Sequence, residues 1–224
     1  MMSARRKKFL GATLVLCAAA VFVVLLAEFI PSALTKEKFD CPDCNIIIIS
    51  LTNTRKDHIG LYGYERNTTP NIDAFFNDAL VFENAFSPAS WTLPDAASFF
   101  TSLFPFSHKV MYRTQKSAVA NAILTLPEIL RANGYRTAAV TGGGDYNRRY
   151  GFAQGFDTYI DEENYDDFDI SFSPPKFTRR DAYLSMETLI PLAIDWLKDN
   201  KEKKKFLFLQ GFDTHCPFTP RPPF

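Results

Sequence analysis

The sequence predicts an α/β fold, a largely parallel sheet sandwiched by helices and preceded by one N-terminal transmembrane or signal helix. Two observations predict the sheet. The continuous β-branched run within residues 45–50 and the apolar run at residues 206–209 have the length and content of strands buried on both faces. Between them, strand signals alternate with apolar residues at helical spacing, and that alternation builds parallel sheets. A third observation predicts the leader. Arg5, Arg6, Lys7 and Lys8 precede an uncharged apolar stretch from Phe9 to Ala27, close to the roughly 20 residues that cross a hydrocarbon layer.

Residues 1–30 are therefore read as an anchor or signal segment, residues 31–44 as a linker and residues 45–224 as one domain. Positive residues stay cytoplasmic, so everything after Glu28 is expected outside, either membrane-anchored or secreted. Both fates stay open: the apolar length suits an anchor, while Ala18-Ala19-Ala20 supplies small residues that suit signal cleavage. Cys17 reads as an inert thiol within that helix. Cys41-Pro42-Asp43-Cys44 holds too few ligands for a structural zinc site, and a local disulfide is the expected state on the exported side. Lys and Arg number 25 and so do Asp and Glu, which leaves no charge-based reason to expect nucleic acid or an anionic lipid surface as a partner. The 22 phenylalanines argue for a packed core rather than a disordered chain.

Each element follows from local chemistry. Thr69 and Pro70 suit an N-cap and first helical position, with Ile72, Phe75, Phe76 and Ala79 on one helical face. Val81 to Ala85 reads as a short strand. Thr92 precedes a helix that carries Pro94 in its first turn and buries Leu93, Ala97 and Phe100. Thr125 and Glu128 form a capping box, and Gly134 ends that helix. Thr137 to Thr141 is a strand, and Gly142-Gly143-Gly144, which lacks the lysine and spacing of a P-loop, reads as a flexible loop. The acidic stretch from Asp157 to Asp169 reads as a solvated surface loop. A helix runs from Asp181 to Asn200, where Pro191 should kink or divide it, and Lys201 to Lys205 reads as its solvated end.

Ligands of open α/β sheets bind beyond the carboxyl ends of the strands, which singles out three loops. The first holds Thr52, Asn53, Arg55, Asp57 and His58; the second holds Thr92; the third holds Asp213 and His215. A hydroxyl at a helix start sits where free N–H groups and the helix dipole favour an anion, so Thr92 could serve an anionic ester as an oxygen nucleophile. Thr92 with Asp95 also reads as a plain capping box. Arg55 could hold an ester oxygen in its fork or pair with Asp57. His215 could give a proton to a leaving alcohol or bind the ester group, while Asp213, His215 and Pro217 could also form only a turn. Cys216 reads as a free thiol.

In order, the segments at residues 45–50, 55–64, 69–73, 82–87, 91–101, 155–157 and 213–218 resemble the N-terminal half of the sulfatase family, within the alkaline phosphatase superfamily. The resemblance implies hydrolysis of sulfate or phosphate esters in the extracytoplasmic space, assisted by a divalent cation, calcium or magnesium. It assigns Thr92 and His215 catalytic roles, Arg55 and His215 substrate contacts, and Thr52, Asn53 and Asp213 the neighbourhood of the metal. Family members oxidise a Cys or Ser followed by x-Pro-x-Arg to formylglycine; here Thr92-Leu93-Pro94-Asp95-Ala96 stands in that place, so no formylglycine is expected. Neutral Thr52 and Asn53 occupy positions where the family carries aspartate, which weakens cation binding. Two alternatives therefore accompany the hydrolase: a catalytically silent homologue, and a threonine-dependent phosphoryl or phosphoethanolamine-type transferase. The domain is expected to be incomplete as it stands, and inactive alone.

Overall fold

The computed structural model describes residues 41–114, 117–161 and 185–216. The expected leader helix and the stretch 162–184 lie outside the described residues. All elements below belong to the unit Asp43–Phe224. Among the described residues, no helix is long and apolar enough to cross a membrane. Cys41 and Cys44 are both disulfide-bonded, and Cys216 is a free, exposed thiol.

Four parallel strands form one sheet in the order β1 (Ile46–Leu51), β4 (Lys205–Gly211), β2 (Arg136–Thr141), β3 (Thr158–Ile160). The register sets Ile46 beside Phe206 and Thr137 beside that same Phe206, so β4 is the centre. All seven residues of β4 are buried, as a strand covered by helices on both faces requires.

One face packs under α2 (Thr92–Thr101). Leu93, Ala96, Ala97 and Phe100 of this helix meet Ala139, Phe206 and Phe208 of the sheet, with Phe152 and Phe156 from the loops closing the layer. Phe100 meets Phe208 edge-on at 5.0 Å between centroids, a favoured aromatic geometry. The opposite face packs under α5 (Met186–Asp199), whose Leu189 and Ala193 meet Ala138, Val140, Leu207 and Leu209. The helix runs through Pro191 without dividing.

Between these lie α1 (Pro70–Phe75), α3 (Pro105–His108) and α4 (Leu126–Ala132). The capping box at α4 forms as expected: Thr125 N–H donates to Glu128 at 2.9 Å. Gly155, at φ +86, backs directly onto this cap, and a Cβ there would meet the Glu128 nitrogen at 2.4 Å, so only glycine fits.

Several expectations change. β1 is half-buried on one face and exposed on the other, with Ile47 and Ile49 50% and 57% exposed, because it is the edge strand among the described residues. No strand forms at residues 81–85. α1 stops at Phe75, and Phe75 and Phe76 are exposed: this short helix lacks the packed apolar face that would extend it. Within the stretch expected to be a solvated loop, residues 158–160 form β3 and Asp161 is buried, since strand pairing and Arg148 satisfy it. Lys205 also departs from the solvated end expected of it. It opens the central strand, and its buried ammonium donates to the carbonyls of Asn200, Lys201 and Lys203 at 3.1, 3.2 and 2.7 Å, satisfying acceptors left over where α5 ends.

Candidate functional site

Because β1, β4 and β2 run parallel, the loops after Leu51, Gly211 and Thr141 leave the same edge of the sheet. The first turn of α2 joins them there. The Tyr146 phenol, in the 3₁₀ turn Gly144–Tyr146 after β2, bonds the Ser50 side chain at the end of β1 and lies within electrostatic reach of Asp95. Burial pushes that phenol up to about 12.

Thr92 is the first residue of α2 rather than its cap; extended Trp91 takes the cap position with no side-chain bond. The capping box with Asp95 does not form, because the Asp95 carboxylate accepts the Ser87 hydroxyl instead. The half-buried Thr92 hydroxyl makes no hydrogen bond to a described residue. It thus stays available beside the free N–H groups of the helix start.

The loop after β1 is stitched to the loop after β4. Gln210, fully buried on β4, donates to the Thr52 hydroxyl at 2.7 Å, while its carbonyl accepts the Gly142 N–H at 3.2 Å. Thr214 donates to the Thr52 carbonyl and lies 3.0 Å from the Thr54 hydroxyl. Exposed Asn53 follows in the left-handed region at φ 64, which asparagine tolerates better than most residues. The loops that carry the sequence candidates Thr52, Asn53, Asp213 and His215 thus lie side by side at one edge of the sheet.

Arg55 stays within its own loop. Its Nε and Nη2 donate to Asp57 at 2.9 and 2.5 Å, and this pair with His58 holds the Asp57 carboxyl well below the usual carboxylate range. Asp213 accepts the Met186 N–H at 2.8 Å and so serves the start of α5. The Nδ1 of His215 faces the Cys216 carbonyl, which can only accept, so Nδ1 carries a hydrogen and Nε2 is the nitrogen left to face the loop.

The donor set does not fit a calcium or magnesium ion. Among the described residues no three His, Cys, Asp or Glu side chains gather as a cation site. Thr52, Asn53 and Asp213 bring one carboxylate between them, already bonded to an amide, whereas hard dications favour several anionic oxygens.

Two side chains that sequence reasoning passed over lie at the same edge. Arg113 places its guanidinium 5.3 Å from the Trp91 ring centroid and donates to Asp145 from Nε and Nη2 at 2.6 and 2.7 Å. Asp145 is buried in the 3₁₀ turn directly after Gly142-Gly143, glycines of the stretch read as a flexible loop; the position of that turn after a strand was the available signal. Nothing local marks Arg113. The other histidine nearby, His108, is a core residue: Nδ1 accepts the Val110 N–H, Nε2 faces Ser98 at 3.0 Å, and burial holds the ring below its ordinary pKa.

A parallel α/β sheet under helices on both faces, with loops gathered at its carboxyl edge, defines the class of fold. The chain matches the sulfatase family over residues 44–224 and belongs to it. It is 25% identical to the Mus musculus iduronate 2-sulfatase over 146 residues, 64% of this chain and 24% of that protein. Against the human iduronate 2-sulfatase it is 29% identical over 97 residues, 43% of this chain and 18% of that protein. It thus spans about a quarter or less of these relatives. Among solved structures, the lipoteichoic acid synthase LtaP from Listeria monocytogenes superimposes with a TM-score of 0.60 at 23% identity, covering 79% of this chain and 42% of its own. The phosphonate monoester hydrolase of Agrobacterium radiobacter gives 0.60 at 17% identity, covering 80% and 43%. Both show the shared fold.

Proposed function

We propose that this chain carries the nucleophile-bearing part of an enzyme that hydrolyses sulfate or phosphate esters outside the cytoplasm, tethered or exported by its first thirty residues. The observation that carries the reading is the Thr92 hydroxyl at the first position of α2, which makes no hydrogen bond to a described residue. Thr92 Oγ attacks the sulfur or phosphorus, and its proton passes to Nε2 of His215. The ester oxygen leaves as an alcohol, taking that proton, and a threonine ester remains. Water then cleaves the threonine ester, and the chemistry closes as hydrolysis. A second alcohol in place of water would make the same site a transferase. N–H groups at the start of α2 stabilise the charge on the transferred group. No step is drawn through calcium or magnesium, because Thr52, Asn53 and Asp213 do not fit one.

The test uses the complete gene product without its first thirty residues, assayed on aryl sulfate and aryl phosphate beside Thr92→Ala. The substitution is expected to lower kcat by about a thousandfold or more, as loss of a nucleophile does. Wild-type turnover no greater than that of Thr92→Ala ends the enzyme reading. A mass adduct on Thr92 that an added alcohol removes faster than water does would select transfer.

A silent homologue is the second reading. It is favoured by the Arg55–Asp57 pair, by the engagement of Asp213 with Met186, and by Ala96, which sits in the core where the family carries arginine. Protein that holds no divalent metal and turns over neither ester would select it.

A further inference from the structure

We propose that His108 is a proton-sensitive latch, which pins the turn of residues 103–109 onto α2 while its ring is neutral and frees that turn when the ring takes up a proton. The proposal is independent of any role for Thr92. Little else holds the turn. α3 runs for four residues, Pro105–His108, and His108 is the one buried residue among them. The aromatic pair that could anchor such a turn, Phe104 and Phe106, stack on each other at 5.7 Å and stand 62% and 75% exposed. Leu103 N–H donates to the Thr101 hydroxyl at 3.3 Å, close to the start of the turn, and gives no hold further out. Ser102 and Lys109 bound the turn in the left-handed region at φ 56 and 62, which favours neither residue type. Phe100 and Val110, just outside it, lie in the core, so the turn is a short strap between two fixed points.

The bonds of the ring require its neutral form. Val110 N–H donates to Nδ1 at 3.0 Å, so Nδ1 is bare and the hydrogen sits on Nε2. Nε2 faces the Ser98 hydroxyl at 3.0 Å, and the ring also bonds the Pro94 backbone, one turn earlier in α2. One tautomer thus joins the strap to two successive turns of α2 and fixes the core residue that follows the strap. A second hydrogen on Nδ1 would face the Val110 N–H, donor against donor, where both residues are buried away from water. The lost bond and the buried charge act in the same direction, against the closed turn.

Neighbouring charges do not offset this. The ionisable groups on the elements around the ring are Asp95 on α2, Lys109 on the strap, Arg113 with its partner Asp145, and the Tyr146 and Tyr150 phenols of the core. None is among the influences on the ring's charge: burial opposes that charge, the Pro94 backbone favours it, and burial prevails. The closed ring therefore titrates below its ordinary 6.5, which the open ring keeps. Above that value both forms are neutral and the latch holds at full strength. As pH falls below it, the open form takes up the proton first, and each further unit multiplies opening by about ten until the closed ring titrates as well. Mildly acidic surroundings thus loosen the strap over α2, and neutral ones close it.

The experiment compares wild type, His108→Gln and Ser98→Ala in the complete gene product. Hydrogen exchange across the acid side of neutrality reads the protection of the Val110 amide and of the strap beside that of β4, and ring-nitrogen NMR reads the tautomer and titration of His108. Wild type is expected to show a bare Nδ1 at neutral pH and a Val110 protection factor that falls about tenfold for each pH unit below the ring's ordinary value, while β4 keeps its protection. His108→Gln keeps a donor toward α2 but has nothing to titrate, so its protection is lower at neutral pH and shows no acid step. Ser98→Ala removes one partner on α2 and lowers protection by about 2- to 10-fold at every pH, with the step retained. A wild-type step that persists in His108→Gln overturns the proposal, as does flat protection in wild type or a hydrogen on Nδ1 at neutral pH. Equal loss of protection in β4 overturns it too, since the opening is then global. Should His108→Gln fail to fold, Ser98→Ala and the ring titration decide: unchanged protection in Ser98→Ala, or a ring that titrates with Val110 protection unmoved, overturns the latch.

Discussion

The loop after β1 and the loop after β2 leave the same edge of the sheet, yet they handle charge in opposite ways. In residues 52–58, Arg55, Asp57 and His58 pair with one another in solvent, within four positions of sequence. In residues 142–150, Asp145 is buried against Arg113 and Arg148 is paired to Asp161, contacts that reach 32 and 13 residues along the chain. Exposed pairs of the first kind contribute little, because water already solvates both partners and ordering long side chains costs entropy. Pairs of the second kind connect elements that would otherwise be independent, and removing one partner strands the other away from water. A dense cluster of charged residues in sequence is thus a weaker pointer to a built site than a lone acid whose partner lies far along the chain.

Four substitutions sharpen or break this contrast. Asp161→Asn should cost the most, about 2–4 kcal/mol in urea denaturation, because the fully buried carboxylate takes the Arg148 guanidinium and backbone N–H together. Gly151→Ala should cost about 1–3 kcal/mol, since this residue ends the second loop at φ +82 and a Cβ would meet the Val119 carbonyl at 2.8 Å. Tyr146→Phe should change the alkaline arm of stability. Burial raises the phenol from 10.0 to about 12, so the fold favours the neutral form; its contribution is complete below pH 10 and is lost as pH rises through about 12. The variant should therefore lose stability less steeply over that window. Arg55→Ala, in the first loop, should leave the denaturation midpoint unchanged. A clear loss there would show that the exposed pair is structural after all and erase the distinction.

Much of the fold was legible because it is written in local pattern. The runs at residues 45–50 and 206–209, the apolar spacing of α2, the Thr69-Pro70 helix start and the Thr125/Glu128 box each specify an element through neighbours a few residues away. β3 was not legible. Its three residues lie in an acidic stretch that reads as solvated, and only pairing with β2 makes them a strand. Thr92, Asp213 and His215 were singled out as candidates from their positions at strand and helix ends, whereas the pairing of Arg113 with Asp145 was not legible, because it is a contact across 32 residues.

The sequence by itself determined the parallel α/β architecture and the family motifs, since periodicity and residue chemistry act over short range. Only the tertiary structure decided that β1 lies exposed on one face, that Arg55 turns to Asp57, that Asp213 serves α5 and that Arg113 stands over Trp91. Each of those outcomes is a choice among partners, and partners distant in sequence compete only once folding has brought them within reach and removed the water between them.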